Sequence, residues 1–506
     1  MLLDVGACAV GIAVRLFLIV QGWDNVLQRR IEVTTPANSF RNVLEGVDMI
    51  NSGLQPYDGH NCHIQYHILL FIRCLLTVSP HVVPVLFMLC DLFTSYLLGV
   101  CAHRSTVFLA HHYGQLLNSE PLPKGVKRSA DVSLQHMFEQ TLPSVGNAAR
   151  IRRAVMLCYL FNPFTIASCV AFTTTTLDNT LLVLAVYLVI SADRLGCLRL
   201  LVSLSILALA TASTLHLAAV VLPIAAWKYV IEDYTFSHQP KNPRSAAPHQ
   251  SIQPPSVCRV FTIVIGAFVC IWAMLIGCLR LMYGSWHFLF ATYGFVLTVP
   301  DLQPNMGLFW YFFTEVFDHF RLFFTWVFQL NLAVYLIPLA VTIRHDPLLL
   351  CFELLVLIST FKPYPSVCDT AVYLALLPAF QHLYRFLPHT LTTACGLLVS
   401  ISLAPVMWSL WIDVGSANAN FFFAVTMFYN TAQIFLLTDF LYAYHGVASA
   451  CRYGIRPVHV SDGTPGAELD SSVDEDRSER DSRANVTTRY RLLFDKRLFG
   501  WSLSVD

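Results

Sequence analysis

The sequence predicts an all-α, polytopic membrane protein with about 12 transmembrane helices, and three observations carry that prediction. Only 13 % of the 506 residues are Asp, Glu, Lys or Arg, about half the share in an average soluble protein. Hydrophobic residues make up 56 %, with 36 Phe, 20 Tyr and 9 Trp to supply lipid-facing surface and interfacial belts. Apolar runs that meet or approach the about 20 residues needed to cross a bilayer recur along the chain. Such runs cross as helices, because lipid offers no partner to a stray backbone amide.

The first run, 2–20, carries Asp4 and Arg15 and no small-residue cleavage site follows it, so it reads as a retained span rather than a cleaved signal. A polar first loop, 21–63, holds Arg29, Arg30, Glu32, Arg41, Glu45, Asp48 and Asp58. Runs at 64–78 and 82–102 lead into a loop, 103–153, with Arg104, Lys124, Lys127, Arg128, Arg150, Arg152 and Arg153 against three acids. That basic excess reads as cytosolic. It conflicts with a cytosolic N-terminus followed by two full spans, unless one of the two does not cross.

Runs at 152–171, 176–191, 198–214 and 215–231 precede a Pro-, Ser- and Asn-rich segment, 237–256, that reads as a flexible linker. Beyond it lie 259–283, 306–325, 326–343, 347–361, 368–387, 390–411 and 421–444. Several are short or abut one another, so some are expected to be re-entrant or interfacial. Residues 1–445 thus form a multi-span membrane domain, and 446–506 a polar tail whose stretch Asp470 to Arg483 reads as disordered. The sequon Asn485-Val486-Thr487 is usable only if that tail is luminal.

Several function classes fall away. Equal numbers of basic and acidic residues, 32 each, give no reason to expect a nucleic-acid partner. Fifteen Cys without a CxxC pair read as buried free thiols. There is no HExxH, GxSxG, Walker loop or dinucleotide glycine pattern, and no extramembrane segment is long enough for a hydrolase domain. No cofactor or metal is expected: His60-Asn61-Cys62-His63 with His67 has zinc-ligand residue types but reads as a polar loop entering a helix. Glu45, Asp48 and Asp58 sit where a membrane glycosyltransferase would carry a general base, and also suit a solvated amphipathic helix.

Polar residues within apolar segments usually have a partner or a task. Three groups qualify. Asn162-Pro163-Phe164-Thr165 breaks a helix next to a polar end, Thr173 to Thr176 with Asp178 and Asn179. Val299-Pro300-Asp301-Leu302-Gln303-Pro304-Asn305 makes a turn before the aromatic run Gly307-Leu308-Phe309-Trp310-Tyr311, with Glu315 and Asp318-His319 beyond. Gly415-Ser416-Ala417-Asn418-Ala419-Asn420-Phe421 joins two runs and offers amide donors and acceptors, or simple helix caps.

These residues closely resemble the PIG-U family, the polytopic subunit of glycosylphosphatidylinositol (GPI) transamidase. The resemblance runs from Tyr293-Gly294-Phe295 through Phe313, then Lys362, Tyr364-Pro365 and Asp369, His382-Leu383-Tyr384-Arg385-Phe386-Leu387, and Gly415-Ser416-Ala417-Asn418 with Asn420-Phe421-Phe422. Upstream, Glu45-Gly46, Pro56-Tyr57, Gly59, His63, Asn162-Pro163 and Ser168-Cys169 are similar too. The linker 237–256 and the tail depart from the family, and nothing is carried over to them.

The resemblance implies a fold similar to the GT-C-like membrane glycosyltransferases and a non-catalytic subunit in the endoplasmic reticulum membrane. Its implied partners are the caspase-like PIG-K, which carries the nucleophilic cysteine, together with PIG-T, PIG-S and a Gaa-type subunit, and the GPI lipid itself. A GPI holder needs an apolar slot and headgroup-level hydrogen-bonding groups. Ser416, Asn418, Asn420 and Phe421, with Asp301, Asn305, Trp310, Tyr311 and His382, are the candidates for that role. The alternatives are a dolichol-phosphate-mannose-dependent mannosyltransferase, for which Glu45 and Asp48 lie on one helical face, and a transporter, which would need inverted repeats that the sequence does not show.

Overall fold

A computed structural model describes residues 2–59, 61–119, 142–192, 195–237 and 255–453. The linker but for its ends, nearly all of the tail with its sequon, His60 and the middle of the basic loop lie outside these described residues. The chain divides into a large unit, Met1–His112 with Pro143–Tyr444, and a small one, Tyr113–Leu142 with His445–Asp506. The described parts of the small unit, apart from Leu142, are helical.

In the large unit α1 (Leu2–Val20) leads through the short α2 (Trp23–Leu27) to α3 (Phe40–Asn51) in the first loop. Helix α3 is amphipathic: Phe40, Val43, Gly46 and Val47 are buried while Asp48 is exposed. It packs on α4 (Tyr66–Val78), where Gly46 faces Leu69 and Cys62 so closely that a Cβ would stand 2.7 Å from the Cys62 sulfur. Helix α5 (Val82–Ser119) continues well past the end of its apolar run.

Helices α6 (Val145–Leu160) and α7 (Pro163–Val170) are bent by 47° at the Asn162-Pro163 break. Asn162 caps α7 by accepting from the Phe164 amide at 2.9 Å, and Pro takes the first helical position, where a missing N–H costs nothing. Helices α8 (Thr174–Ile190), α9 (Cys197–Ser213), α10 (Val221–Ser237) and α11 (Val257–Tyr283) follow; α9 packs on α8 and α11, and α10 packs on α11 and α8. Next come α12 (His287–Thr298), with a π turn at Phe290–Gly294, then α13 (Phe309–Glu315), α14 (Asp318–Thr342) and α15 (Pro347–Phe361). The run expected at 368–387 is not one helix. It is a 3₁₀ turn, the short α16 (Ala371–Leu376) and a kinked 3₁₀ segment, Leu377–Phe386. Helices α17 (Thr390–Trp408), extended by a π turn to Asp413, and α18 (Ala419–Tyr453) close the described chain.

Among the described residues six helices are long and apolar enough to cross a membrane, or seven if α6 and α7 form one bent span. That falls short of the about 12 expected from apolar run lengths. Five further apolar helices are shorter, such as α15, whose 15 residues span only about 22 Å of helix. All but its last residue are buried against neighbouring helices.

Among the described cysteines Cys62, Cys101, Cys169, Cys351 and Cys368 are buried free thiols, as expected, but Cys74, Cys158, Cys197, Cys258, Cys270, Cys278 and Cys395 are exposed.

Candidate functional site

The turn before α13 is built by its own polar side chains. Asn305 accepts from the Gly307 amide at 2.7 Å and donates to the Gln303 carbonyl at 3.1 Å. Asp301 accepts from the Gln303 amide at 3.0 Å. Two outside groups pin the turn: Tyr364 donates to the Asp301 carbonyl at 2.8 Å, and Asn430 of α18 donates to the Met306 carbonyl at 2.9 Å. Gly307 sits against Pro365, where a Cβ would come within 2.7 Å of the proline ring.

This anchoring aims α13 at the connection between α17 and α18. Trp310, buried, meets Trp411 at 6.2 Å, Phe422 at 6.0 Å and Phe423 at 5.9 Å between ring centroids. Tyr311 stacks on Phe423 at 4.5 Å and donates its hydroxyl to the Asn420 side-chain oxygen. Gly415 turns the chain at φ 71°, and the Ser416 and Ala417 amides both donate to the Leu410 carbonyl. Asn418 accepts from the Asn420 amide at 3.1 Å, which is a helix-start cap. Ser416, Asn418, Asn420 and Phe421 are exposed.

The structure therefore brings Trp310 and Tyr311 together with the loop carrying Ser416, Asn418, Asn420 and Phe421. Asp301 and Asn305 shape the approach to that corner. His382 is not part of it: it is buried in Leu377–Phe386, a segment that packs on α6. Trp408, Trp411 and Phe423 complete the aromatic wall and were not among the sequence candidates. The signal was present, since Trp408 and Trp411 lie three apart at the end of an apolar run and so share a helix face.

At the end of the first loop His63 bonds the Ala291 carbonyl at 2.9 Å and stacks on Phe295, and in α4 His67 bonds the Ser213 hydroxyl at 3.1 Å. Among the described residues no three His, Cys, Asp or Glu side chains gather to hold a metal ion. Glu45 accepts from Asn61 at 3.3 Å.

Long apolar helices around an amide-and-aromatic corner define a multi-pass, all-α membrane protein. The family described as GPI transamidase subunit PIG-U matches residues 9–429, and the chain belongs to this family. The GPI-anchor transamidase component PIGU of Homo sapiens is 33 % identical over 439 residues, covering 86 % of this chain and 92 % of the relative. The protein of the same name from Cricetulus griseus is 33 % identical, with the same coverage. The GPI transamidase component GAB1 of Saccharomyces cerevisiae is 26 % identical over 87 % of this chain and 92 % of its own length. The mannosyltransferase alternative is not supported by these relatives.

Proposed function

We propose that this chain is a non-catalytic membrane subunit of a GPI transamidase, and that it holds the GPI lipid for the enzyme. In this reading the nucleophilic cysteine belongs to a caspase-like PIG-K subunit, with PIG-T, PIG-S and a Gaa-type subunit completing an assembly in the endoplasmic reticulum membrane. The shorter apolar helices join the long ones in a bundle of about 12 spans with a GT-C-like arrangement.

The observation that carries the lipid-holding role is the contact of Tyr311 with Asn420. It sets an exposed amide, beside Asn418 and Ser416, against a wall formed by Trp310, Trp411, Phe422 and Phe423. A phosphorylated glycan head needs hydrogen-bonding groups in fixed positions, and acyl chains need an apolar face beside them. Phe421, 56 % exposed, extends that face outward. Holding the lipid there raises the effective concentration of its ethanolamine amine near the acyl-enzyme, which is how a non-catalytic subunit accelerates a transfer.

The test is GPI co-purification. Replacing Asn418 and Asn420 together by Ala is expected to leave the complex assembled but depleted of bound GPI. Unchanged GPI content in an intact complex sinks the assignment.

A further inference from the structure

A second polar feature, lined by none of the corner residues, is a cavity of about 80 Å³ among the helices of the large unit. At about 10–15 Å³ per water, it has room for a few waters or one compact ligand. Its wall draws on the first loop, α8, α12, the 3₁₀ segment Leu215–Val220 that follows α9, and the end of α15 with the turn after it.

Three side chains on that wall carry charge: Asp178, Lys362 and Asp369. Lys362 is committed to Asp369, with its ammonium 2.6 Å from one carboxylate oxygen. The other oxygen of Asp369 accepts from the Ser366 amide at 2.7 Å. Asp178, 6 % exposed, accepts from the Thr214 hydroxyl at 2.8 Å through one oxygen. Its second oxygen has no hydrogen-bond partner within the chain. The same holds for the side-chain oxygen of Gln65, which is 4 % exposed on the same wall. Two carboxylates thus share one ammonium; the hydroxyls of Thr35 and Ser359 on the same wall also have no hydrogen-bond partner within the chain and can accept as well as donate.

A carboxylate buried among helices without a counter-charge is costly, and such residues are kept where a cation or proton completes them. A ligand here must bring positive charge or N–H donors. An anion is repelled, because the wall carries two carboxylates against one ammonium. A divalent ion fails for want of ligands, since such sites gather several carboxylates or imidazoles and no three of those groups gather here among the described residues. We propose that this cavity binds a small monovalent cation, with the Asp178 carboxylate as counter-charge and the Gln65 amide oxygen as a further acceptor. The chemistry is shared by an alkali-metal ion and a primary ammonium group. The site is independent of the GPI-holding corner.

The experiment uses the complex purified with this subunit, and follows its thermal melting as choline chloride is replaced by sodium, potassium or ethylammonium chloride at constant ionic strength. A saturable rise in melting temperature is expected with at least one of the three small cations. Sodium or potassium alone would identify a metal site, and ethylammonium alone an ammonium site. Asp178→Asn is expected to abolish the rise. Gln65→Leu is expected to raise the half-saturating concentration about tenfold, the equivalent of one lost charge-assisted hydrogen bond. Identical melting of the native complex in all four salts overturns the proposal, as does a cation-specific rise that persists in Asp178→Asn. If Asp178→Asn does not assemble, an unchanged half-saturating concentration in Gln65→Leu overturns it instead.

Discussion

Arg15 of α1 and Asp91 of α5 form an ion pair at 2.8 Å with both side chains 1 % exposed. Arg15 also donates to the Gly11 and Leu160 carbonyls at 3.1 Å and to Thr165 at 3.3 Å, and Tyr159 donates to Asp91 at 3.4 Å. One guanidinium therefore ties α1 to α5, α6 and α7. Removing one partner leaves a buried charge alone, at a cost of about 3–5 kcal/mol, whereas replacing both by apolar residues of similar size is near neutral. Arg15→Met and Asp91→Leu are each expected to lower the melting temperature and yield of the complex sharply. The double variant is expected to recover most of both, read by thermal melting of the purified assembly.

Gly307 tests whether the turn positions the corner. A Cβ there meets two Pro365 ring carbons at 2.7 Å and the Asn305 side-chain oxygen at 2.9 Å. Crowding of this kind costs about 1–3 kcal/mol. Gly307→Ala is expected to destabilise the complex and lower its bound GPI. Gly266→Ala, in α11 with nothing within 4 Å of the added methyl, is expected to leave both unchanged.

The Tyr311 hydroxyl orients the Asn420 amide, so its removal should show in lipid capture more than in stability. Tyr311→Phe keeps the ring on Phe423 and loses one hydrogen bond, about 0.5–1.5 kcal/mol. Bound GPI per complex is expected to fall by up to about tenfold. Combined with Asn420→Ala, the loss should be less than the sum of the two, because both changes break the same contact. Additive losses would mean that the two residues act separately.

Much of this was legible in the chain. Asn162-Pro163 announced its bend, because Asn caps and Pro starts a helix. The turn from Val299 to Gly307 was readable from its Asp, Asn and Pro residues, whose bonds reach only two positions along. What the sequence hid are meetings between distant positions. Arg15 was noticed only as a charge inside an apolar run, and nothing local points it at Asp91. Tyr311 and Asn420 lie 109 positions apart. Asp178 read as part of a polar helix end, and its place on a cavity with Gln65 and Lys362 depends on packing. Hydropathy also cannot tell a lipid-facing run from a buried one, so it did not show that α15 is packed on nearly every side.

Cys62 offers a chemical probe of the first loop. Burial pushes its thiol from 9.0 up to about 11, and the nearby Glu45 carboxylate adds to the rise. Each unit is a tenfold loss of the reactive thiolate at a given pH below the raised value, so two units are about a hundredfold. Maleimide labelling of Cys62 in the native complex at pH 7.5 is expected to be at least that much slower than in denaturant. It should climb as pH rises toward 11, not near 9.

The role of the whole chain is tested most directly by the GPI species that accumulate in cells depleted of this protein. A transamidase subunit predicts complete, ethanolamine-bearing GPI together with precursor proteins that keep their C-terminal signals. A truncated, mannose-poor GPI would contradict it and point to a step in glycan assembly instead.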